Sequence, residues 1–171
     1  MPRVLAAVVG TAVIAFGAAS SSGKTPPGAA ASKSVSHAGL PDLHCTPGAL
    51  NPNVKQSTIR KTVCVANWTD TARPPTSYTN RLKVQGIADY GFKDKTLGHY
   101  EEDHLIPLAV GGSPRSPKNL WPEPYKGKFG ARVKDKLEVF LQHRVCDGTV
   151  RLSKARRQFR DWKAAYRRFG L

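Results

Sequence analysis

The sequence predicts a single α+β domain, with two short strands, a long helix after them and further helices on both sides. The stretch 99–106 has the residue pattern of a strand, Gly111-Gly112 allows a tight reversal, and a second strand starts at Asn119. Apolar residues then recur at helical spacing over 131–145. About 130 residues follow the N-terminal segment, which is enough for one compact core.

The first 41 residues are expected to direct export and not to belong to the folded domain. Residues 1–20 have a short positive start and then 16 apolar or small residues without charge, which is typical of a secretory signal peptide. That run is shorter than the roughly 20 residues of a spanning helix, and an uncleaved anchor is the alternative. Residues 21–41 are mostly small or polar and predict a disordered linker. The expected product is a secreted or periplasmic domain over 42–171, with no stable membrane span after cleavage.

The net charge predicts a polyanionic partner. The chain has 27 basic and 12 acidic residues, for a formal charge of +15. The segment 42–171 keeps 24 of the basic residues and all 12 acidic ones, for a charge of +12. A domain this basic favours nucleic acid, DNA before RNA, and then anionic membranes or cell-wall polymers. A basic surface that serves only solubility is the alternative.

Three cysteines, Cys45, Cys64 and Cys146, predict one disulfide and one further thiol in an exported chain. Their spacing leaves the pairing open. It does not fit a Cys-x-x-Cys zinc site or redox motif.

Short elements are predicted before the strands. Residues 54–60 favour one or two helical turns, and the β-branched stretch 62–65 favours a strand. A proline-rich loop over 71–75 leads into an amphipathic helix over 78–90, which Gly91 ends.

Alternation along the first strand of the central pair puts Glu101 and Asp103 on one face and Glu102 and His104 on the other. Pro107 ends regular pairing. For the neighbours Asp103 and His104 to serve one site, the backbone must therefore twist near the end of this strand.

Two helices are predicted after the strands and the irregular stretch 122–130. The first covers 131–145, and the second covers 153–169 with Ser153 as its cap. The apolar side of the first helix consists of Val133, Leu137, Phe140, Leu141 and Val145. Its other side carries Lys134, Asp135, Lys136 and Glu138.

The central stretch contains the residue types that phosphodiester hydrolysis needs. His104 suits a general base because its unperturbed pKa is near neutral. Asp103 offers hard oxygen ligands for a divalent cation. Asn119 can place its side-chain carbonyl against the imidazole N–H and set the tautomer. The alternative for Asp103 and His104 is an ordinary surface ion pair.

These motifs resemble the signature of HNH endonucleases, which have the ββα-metal fold. The matching residues are Asp103-His104-Leu105-Ile106-Pro107-Leu108, Gly111-Gly112 and Asn119-Leu120-Trp121-Pro122. A longer resemblance, over roughly residues 45–165, is to small exported bacterial HNH-like proteins. It implies a ββα core over about 99–145, with His104 as the general base and Asp103 as a metal ligand. It also implies that Asn119 orients His104 and braces the hairpin.

The resemblance also implies a third metal ligand, usually a His or Asn on the following helix. The stretch 129–142 contains neither residue. Asp135 and Glu138 are the candidate ligands there, with Glu101 or water as alternatives. The expected cofactor is Mg²⁺ or Mn²⁺, with Zn²⁺ or Ni²⁺ as further options. Candidates for contact with nucleic-acid phosphate are Arg132, Lys134 and Lys136.

The function predicted from the sequence is an exported, metal-dependent HNH-type endonuclease with weak sequence preference. One alternative is an inactive, basic HNH-like module that binds DNA or another polyanion. Another is a structural exported protein whose ββα unit is only a disulfide-braced core. The sequence leaves the oligomeric state open.

Overall fold

The structure is a computed structural model that describes residues 39–171. Within this range the protein is α+β, as the sequence predicted, and it has five α-helices and one two-stranded antiparallel sheet. The helices are α1 (Trp68–Ala72), α2 (Thr76–Asp89), α3 (Ala131–Cys146), α4 (Leu152–Gln158) and α5 (Trp162–Phe169), and the strands are β1 (Tyr100–His104) and β2 (Leu120–Pro124). Single turns of 3-10 helix cover Gln56–Lys61, Leu97–His99, Leu108–Val110 and Phe159–Asp161. The predicted signal peptide over 1–20 and most of the linker over 21–41 lie outside the described residues.

The two strands form a hairpin in which Tyr100 pairs with Pro124 and His104 pairs with Leu120. The second strand is longer than predicted: it continues to Pro124, whereas the stretch from Pro122 was expected to be irregular. In a sheet of two strands each strand has one unpaired edge, so a proline can face outwards without removing a hydrogen bond. The sheet therefore tolerates Pro122 opposite Glu102.

The segment before α2 differs from the prediction. The expected strand over 62–65 is absent, and these residues form turns after the first 3-10 helix. Val63 is nevertheless fully buried, so its β-branched side chain serves the core rather than a sheet. The short helix α1 was not predicted and takes in the first two residues of the expected loop over 71–75. Its Trp68 donates an indole N–H to the carbonyl of Leu108 at 3.1 Å.

The predicted helix over 153–169 is divided into α4 and α5. α4 ends at Gln158, and after a 3-10 turn Asp161 caps α5, because its Oδ1 accepts a hydrogen bond from the backbone N–H of Ala164 at 3.0 Å. The apolar stripe continues through the break, with Phe159 and Trp162 both fully buried. Periodicity alone therefore could not reveal the interruption.

The main core lies between α3, the C-terminal helices and the segment before α1. Its most buried members are Val63, Val110, Leu137, Leu141, Val145, Ala155, Phe159, Trp162 and Ala165. The disulfide Cys64–Cys146 joins the N-terminal segment to the end of α3, and Cys45 lies outside it. The expected single disulfide is thus present. Of the helices in residues 39–171, none has the length and apolar character to cross a membrane.

Candidate functional site

The loop between the strands is fixed by Gly112 and Asn119. Gly112 lies so close to the backbone that an added Cβ would be 1.7 Å from the carbonyl oxygen of Ile106. The buried Asn119 side chain accepts a hydrogen bond from the N–H of Ile106 at 2.8 Å. Its amide N–H groups donate to the carbonyls of Ile106 and Ser113, both at 3.0 Å. The side chain therefore acts like a peptide group that pairs with the loop.

His104 ends β1, and its imidazole is oriented by Pro114 rather than by Asn119. The ring Nε2 is 3.0 Å from the carbonyl oxygen of Pro114. A carbonyl can only accept, so Nε2 carries the proton and Nδ1 is left as the basic nitrogen. The prediction that Asn119 sets this tautomer is wrong, because its hydrogen bonds go to the loop backbone. Its predicted role as a brace of the hairpin is confirmed.

The environment of His104 favours the neutral imidazole. The residue is only 4% exposed, and this burial lowers the pKa of His104 against the opposing effect of the Pro114 carbonyl. His104 is one of the residues that line a cavity of about 170 Å³ between α2 and the hairpin. Arg73 and Lys83 bring two positive charges to the same cavity, which two glutamates of β1 also line. A neutral base beside two cations can activate water next to a bound anion.

Asp103 contacts a lysine from α3. Its Oδ2 is 2.7 Å from the Nζ of Lys134, whose side chain is completely buried. The same Nζ donates to Glu138 at 2.5 Å and to the backbone carbonyl of His104 at 2.9 Å. An ammonium group has three N–H donors, so Lys134 has no donor left. The expectation that Lys134 contacts nucleic-acid phosphate is therefore wrong for this arrangement.

A fourth ionisable residue, Glu123 of β2, completes the group that we call the Lys134 cluster: Asp103, Glu123, Lys134 and Glu138. Burial disfavours the Lys134 ammonium, but Asp103 and then Glu138 more than offset it and raise the pKa of Lys134. Burial also disfavours the Asp103 carboxylate, but Lys134 lowers the pKa of Asp103 to about 2. Burial and then the charge of Asp103 raise the pKa of Glu123 well above its usual range. At neutral pH Lys134 and Asp103 are therefore charged, and Glu123 is protonated.

A divalent cation at Asp103 does not fit these side chains. The place beside the carboxylate, between the hairpin and α3, is filled by the Lys134 ammonium. Residues 39–171 contain no group of three or more His, Cys, Asp or Glu side chains arranged to hold a metal ion. The misfit comes from the positive charge and volume of Lys134.

The other candidate residues of α3 are distributed differently. Glu138 reaches the Lys134 cluster and keeps 21% of its side-chain surface exposed. Asp135 instead pairs with Arg132 at 3.3 Å. Arg132 is 72% exposed and also lies 3.8 Å from Glu101. Lys136 is exposed as well, so Arg132 and Lys136 stay available as predicted phosphate contacts.

Sequence reasoning missed Glu123, Arg73, Lys83 and the buried position of Lys134. One signal was present for Lys134, which lies three residues after Ala131 and three before Leu137. All three side chains are buried on the inner stripe of α3. The stripe was placed through Val133 and Phe140, which are only partly buried. For Arg73 and Lys83 the sequence carries no signal, because α2 reaches the hairpin only through the tertiary fold.

Comparison with known proteins gives no relative for this chain. No protein-family model matches it, no curated protein matches it and no solved structure matches it. The likeness to HNH endonucleases rests on the sequence motifs.

Proposed function

We propose that this protein hydrolyses phosphodiester bonds in nucleic acid, with His104 as the general base. One observation carries the proposal: the imidazole donates from Nε2 to the Pro114 carbonyl, which leaves Nδ1 basic, and His104 lines a cavity that Arg73 and Lys83 also line. The order of β1, β2 and α3 and the motif residues on them support an HNH-type ββα unit over about 99–145. The expected setting is outside the cytoplasm.

The chemistry follows from the positions of these side chains. His104 Nδ1 takes a proton from water, and the resulting hydroxide attacks phosphorus while the P–O bond to one sugar oxygen breaks. The leaving sugar oxygen takes a proton from solvent. Arg73 and Lys83 attract the phosphate and offset the negative charge that grows on its oxygens. Lys83 is held towards the hairpin because its Nζ donates to the carbonyl of Tyr100 at 3.1 Å. The Pro114 carbonyl stabilises the imidazolium that forms.

The substrate is proposed to be DNA before RNA. Arg132 and Lys136 lie exposed on α3, which packs against the hairpin, and the described domain carries a large excess of positive charge. Contacts of this kind bind the phosphate backbone without reading bases. We therefore expect the protein to show only a weak preference among DNA sequences.

A plasmid-nicking assay tests the role of His104. The wild type should convert supercoiled plasmid to the nicked form, and His104→Ala should lower the rate by about 100-fold or more. His143→Ala is the matched control, because His143 is an exposed histidine on α3 and should nick like the wild type. The assay is run in EDTA, Mg²⁺ and Mn²⁺. Equal nicking by His104→Ala and the wild type would overturn the proposal.

The second candidate is a module that binds DNA or another polyanion without cutting it. The observation that favours it is the Lys134 ammonium, which removes the Asp103 carboxylate from any interaction with a cation at the scissile phosphate. This candidate predicts that the wild type retards plasmid on a gel in every metal but never nicks it. The same assay therefore separates the two functions.

A further inference from the structure

A second cavity lies beside α4 and the 3-10 turn that follows it. We call it the α4 cavity. It has a volume of about 170 Å³, and Ser153, Arg156, Arg157 and Arg160 contribute to its lining. Among the described residues that line it there is no acid. The cavity beside His104 is lined by two glutamates as well as two cations, so the α4 cavity is the more positive of the two.

Arg157 and Arg160 are exposed cations without a counter-charge. Neither side chain forms an ion pair or a hydrogen bond with another described residue. They are three positions apart in consecutive helical turns, and such positions are neighbours on a helix surface. Arg156 adds a fixed positive charge, because the carbonyls of Val110 and Val54 hold its guanidinium in place. An anion bound here would offset the repulsion, and phosphate suits the planar donors of arginine.

The apolar part of the lining is held in place by backbone contacts. Leu50 and Ile106 both line the α4 cavity. The backbone of Leu50 pairs with that of Gly112, yet Leu50 stays 47% exposed. Gly48 packs closely on the isoleucine, since an added Cβ there would be 2.5 Å from Ile106 Cγ1. The cavity therefore offers an apolar surface beside three cations.

We propose that the α4 cavity binds one nucleotide of a nucleic-acid strand, with its phosphate at Arg157 and Arg160 and its sugar and base against Leu50. Ser153 supplies a hydroxyl that can donate to the phosphate. The proposal rests on nucleic acid as the substrate proposed above, but not on its cleavage. A concave site suits an inserted group such as a nucleotide better than a flat lipid surface.

The α4 cavity is close along the chain to the proposed cleavage site. Ile106 follows His104 by two residues, and two residues span at most about 7 Å. Phosphates of one strand are about 3.4 Å apart along the helix axis, so a few nucleotides can reach both cavities. A base can lie against Leu50 only when it is not stacked in a duplex. We therefore expect single strands to bind more tightly than duplexes.

Fluorescence anisotropy with a short, labelled phosphorothioate oligothymidylate tests the phosphate contact. This probe keeps the backbone charge and resists hydrolysis. The double variant Arg157→Gln, Arg160→Gln should raise Kd about tenfold. It should also reduce the slope of log K against log salt by about 0.7, the value for one phosphate of a single strand.

The matched control is Arg151→Gln, Lys154→Gln. It removes two exposed positive charges next to and within the same helix but outside the cavity lining. We expect it to keep the wild-type slope and to change Kd by less than about twofold.

Leu50→Ala tests the apolar contact. It should raise Kd for the single strand about fivefold and leave the salt slope unchanged, because no charge is lost. Binding of a duplex of the same length should change little. Leu97→Ala is the matched control, since Leu97 is also exposed, at 41%, and does not line the cavity. The variants should keep the wild-type Tm, because the altered side chains are exposed.

Four outcomes would overturn the proposal. An arginine double variant with wild-type Kd and slope removes this site, and nicking by the wild type then leaves the proposed function intact. A control pair with equal losses shows that the charge acts diffusely. Loss of binding to phosphatidylglycerol vesicles, with oligothymidylate binding unchanged, assigns the cavity to a lipid headgroup. A wild type that binds no nucleic acid overturns the proposed function together with this site.

Discussion

Glu123 is the most buried acidic side chain among residues 39–171, and its protonation should govern how stability depends on pH. Its pKa is raised in the folded state, so its contribution to stability is fully present below the pKa of an unfolded glutamate, about 4.3. This contribution is lost as pH rises from there towards the folded pKa, because the unfolded state releases the proton first. The buried carboxyl therefore weakens the fold at neutral pH.

Glu123→Gln should raise the Tm by about 2 °C or more at pH 8 and change it little at pH 4. Glutamine keeps the shape of the side chain and can donate an N–H to Asp103, but it does not titrate. Thermal unfolding followed by circular dichroism across this pH range measures the difference. Asp70→Asn, at an exposed acid of α1, should show no such trend. A Tm gain that is equal at both pH values would contradict the assignment.

The residue scale also shows what a sequence pattern can hide. The motif predicted correctly that Asn119 braces the hairpin. It did not predict that Lys134 is buried between the hairpin and α3, because a lysine on a charged helix face is usually taken as solvated. Burial of lysine is decided by partners such as Asp103 and Glu123, which only the tertiary fold brings together.

At the scale of elements, the loop between the strands leaves no room for a side chain at Gly112. Gly112→Ala should cost about 3 kcal/mol or more, because the clash is with the backbone of Ile106 and cannot be relieved by a rotamer change. It should also lower any nicking activity, since Ser113 and Pro114 follow directly and Pro114 positions His104. Denaturant unfolding and the plasmid assay measure the two effects.

Gly98→Ala is the matched control for the loop. An added Cβ at Gly98 meets no atom within 4 Å, so this variant should unfold and nick like the wild type. If Gly112→Ala is as stable as Gly98→Ala, the close packing of the loop on Ile106 is not a requirement of the fold.

Elements with strong local signals were predicted from sequence and the others were not. The bounds of α2 and α3 follow their residue patterns closely, since each is a long helix with a clear stop. The short α1 and the break at Asp161 depend on single hydrogen bonds of Trp68 and Asp161, which periodicity does not register. Tertiary context also overrode the strand propensity of 62–65.

At the scale of the whole molecule, the positive charge has two distinct uses. Arg156 is held inside the fold, where its guanidinium donates to the carbonyls of Val110 and Val54. Lys163 likewise donates to the carbonyl of Gly39. The exposed residues Arg157, Arg160, Arg167 and Arg168 remain on the surface of the C-terminal helices. Only part of the basic C-terminal run is therefore available for a polyanion.

The disulfide should be a major source of stability for the whole domain. Cys64 and Cys146 are 82 residues apart, and closing a loop of that size destabilises the unfolded chain by about 4.5 kcal/mol. The double variant Cys64→Ser, Cys146→Ser should lose a comparable amount in denaturant unfolding. A reductant should lower the wild type to the level of the variant and leave the variant unchanged. If the reductant also destabilises the double variant, the loss of stability does not come from the Cys64–Cys146 bond alone.

The same disulfide sets an order of events during synthesis. A chain that enters an oxidising compartment N-terminus first presents Cys45 and Cys64, 19 residues apart, long before Cys146 arrives. By loop-closure entropy alone, Cys64 meets Cys45 about nine times as often as it meets Cys146. The native bond is therefore the later and rarer encounter. In an oxidising compartment we therefore expect the native bond to form faster when disulfides can be reshuffled.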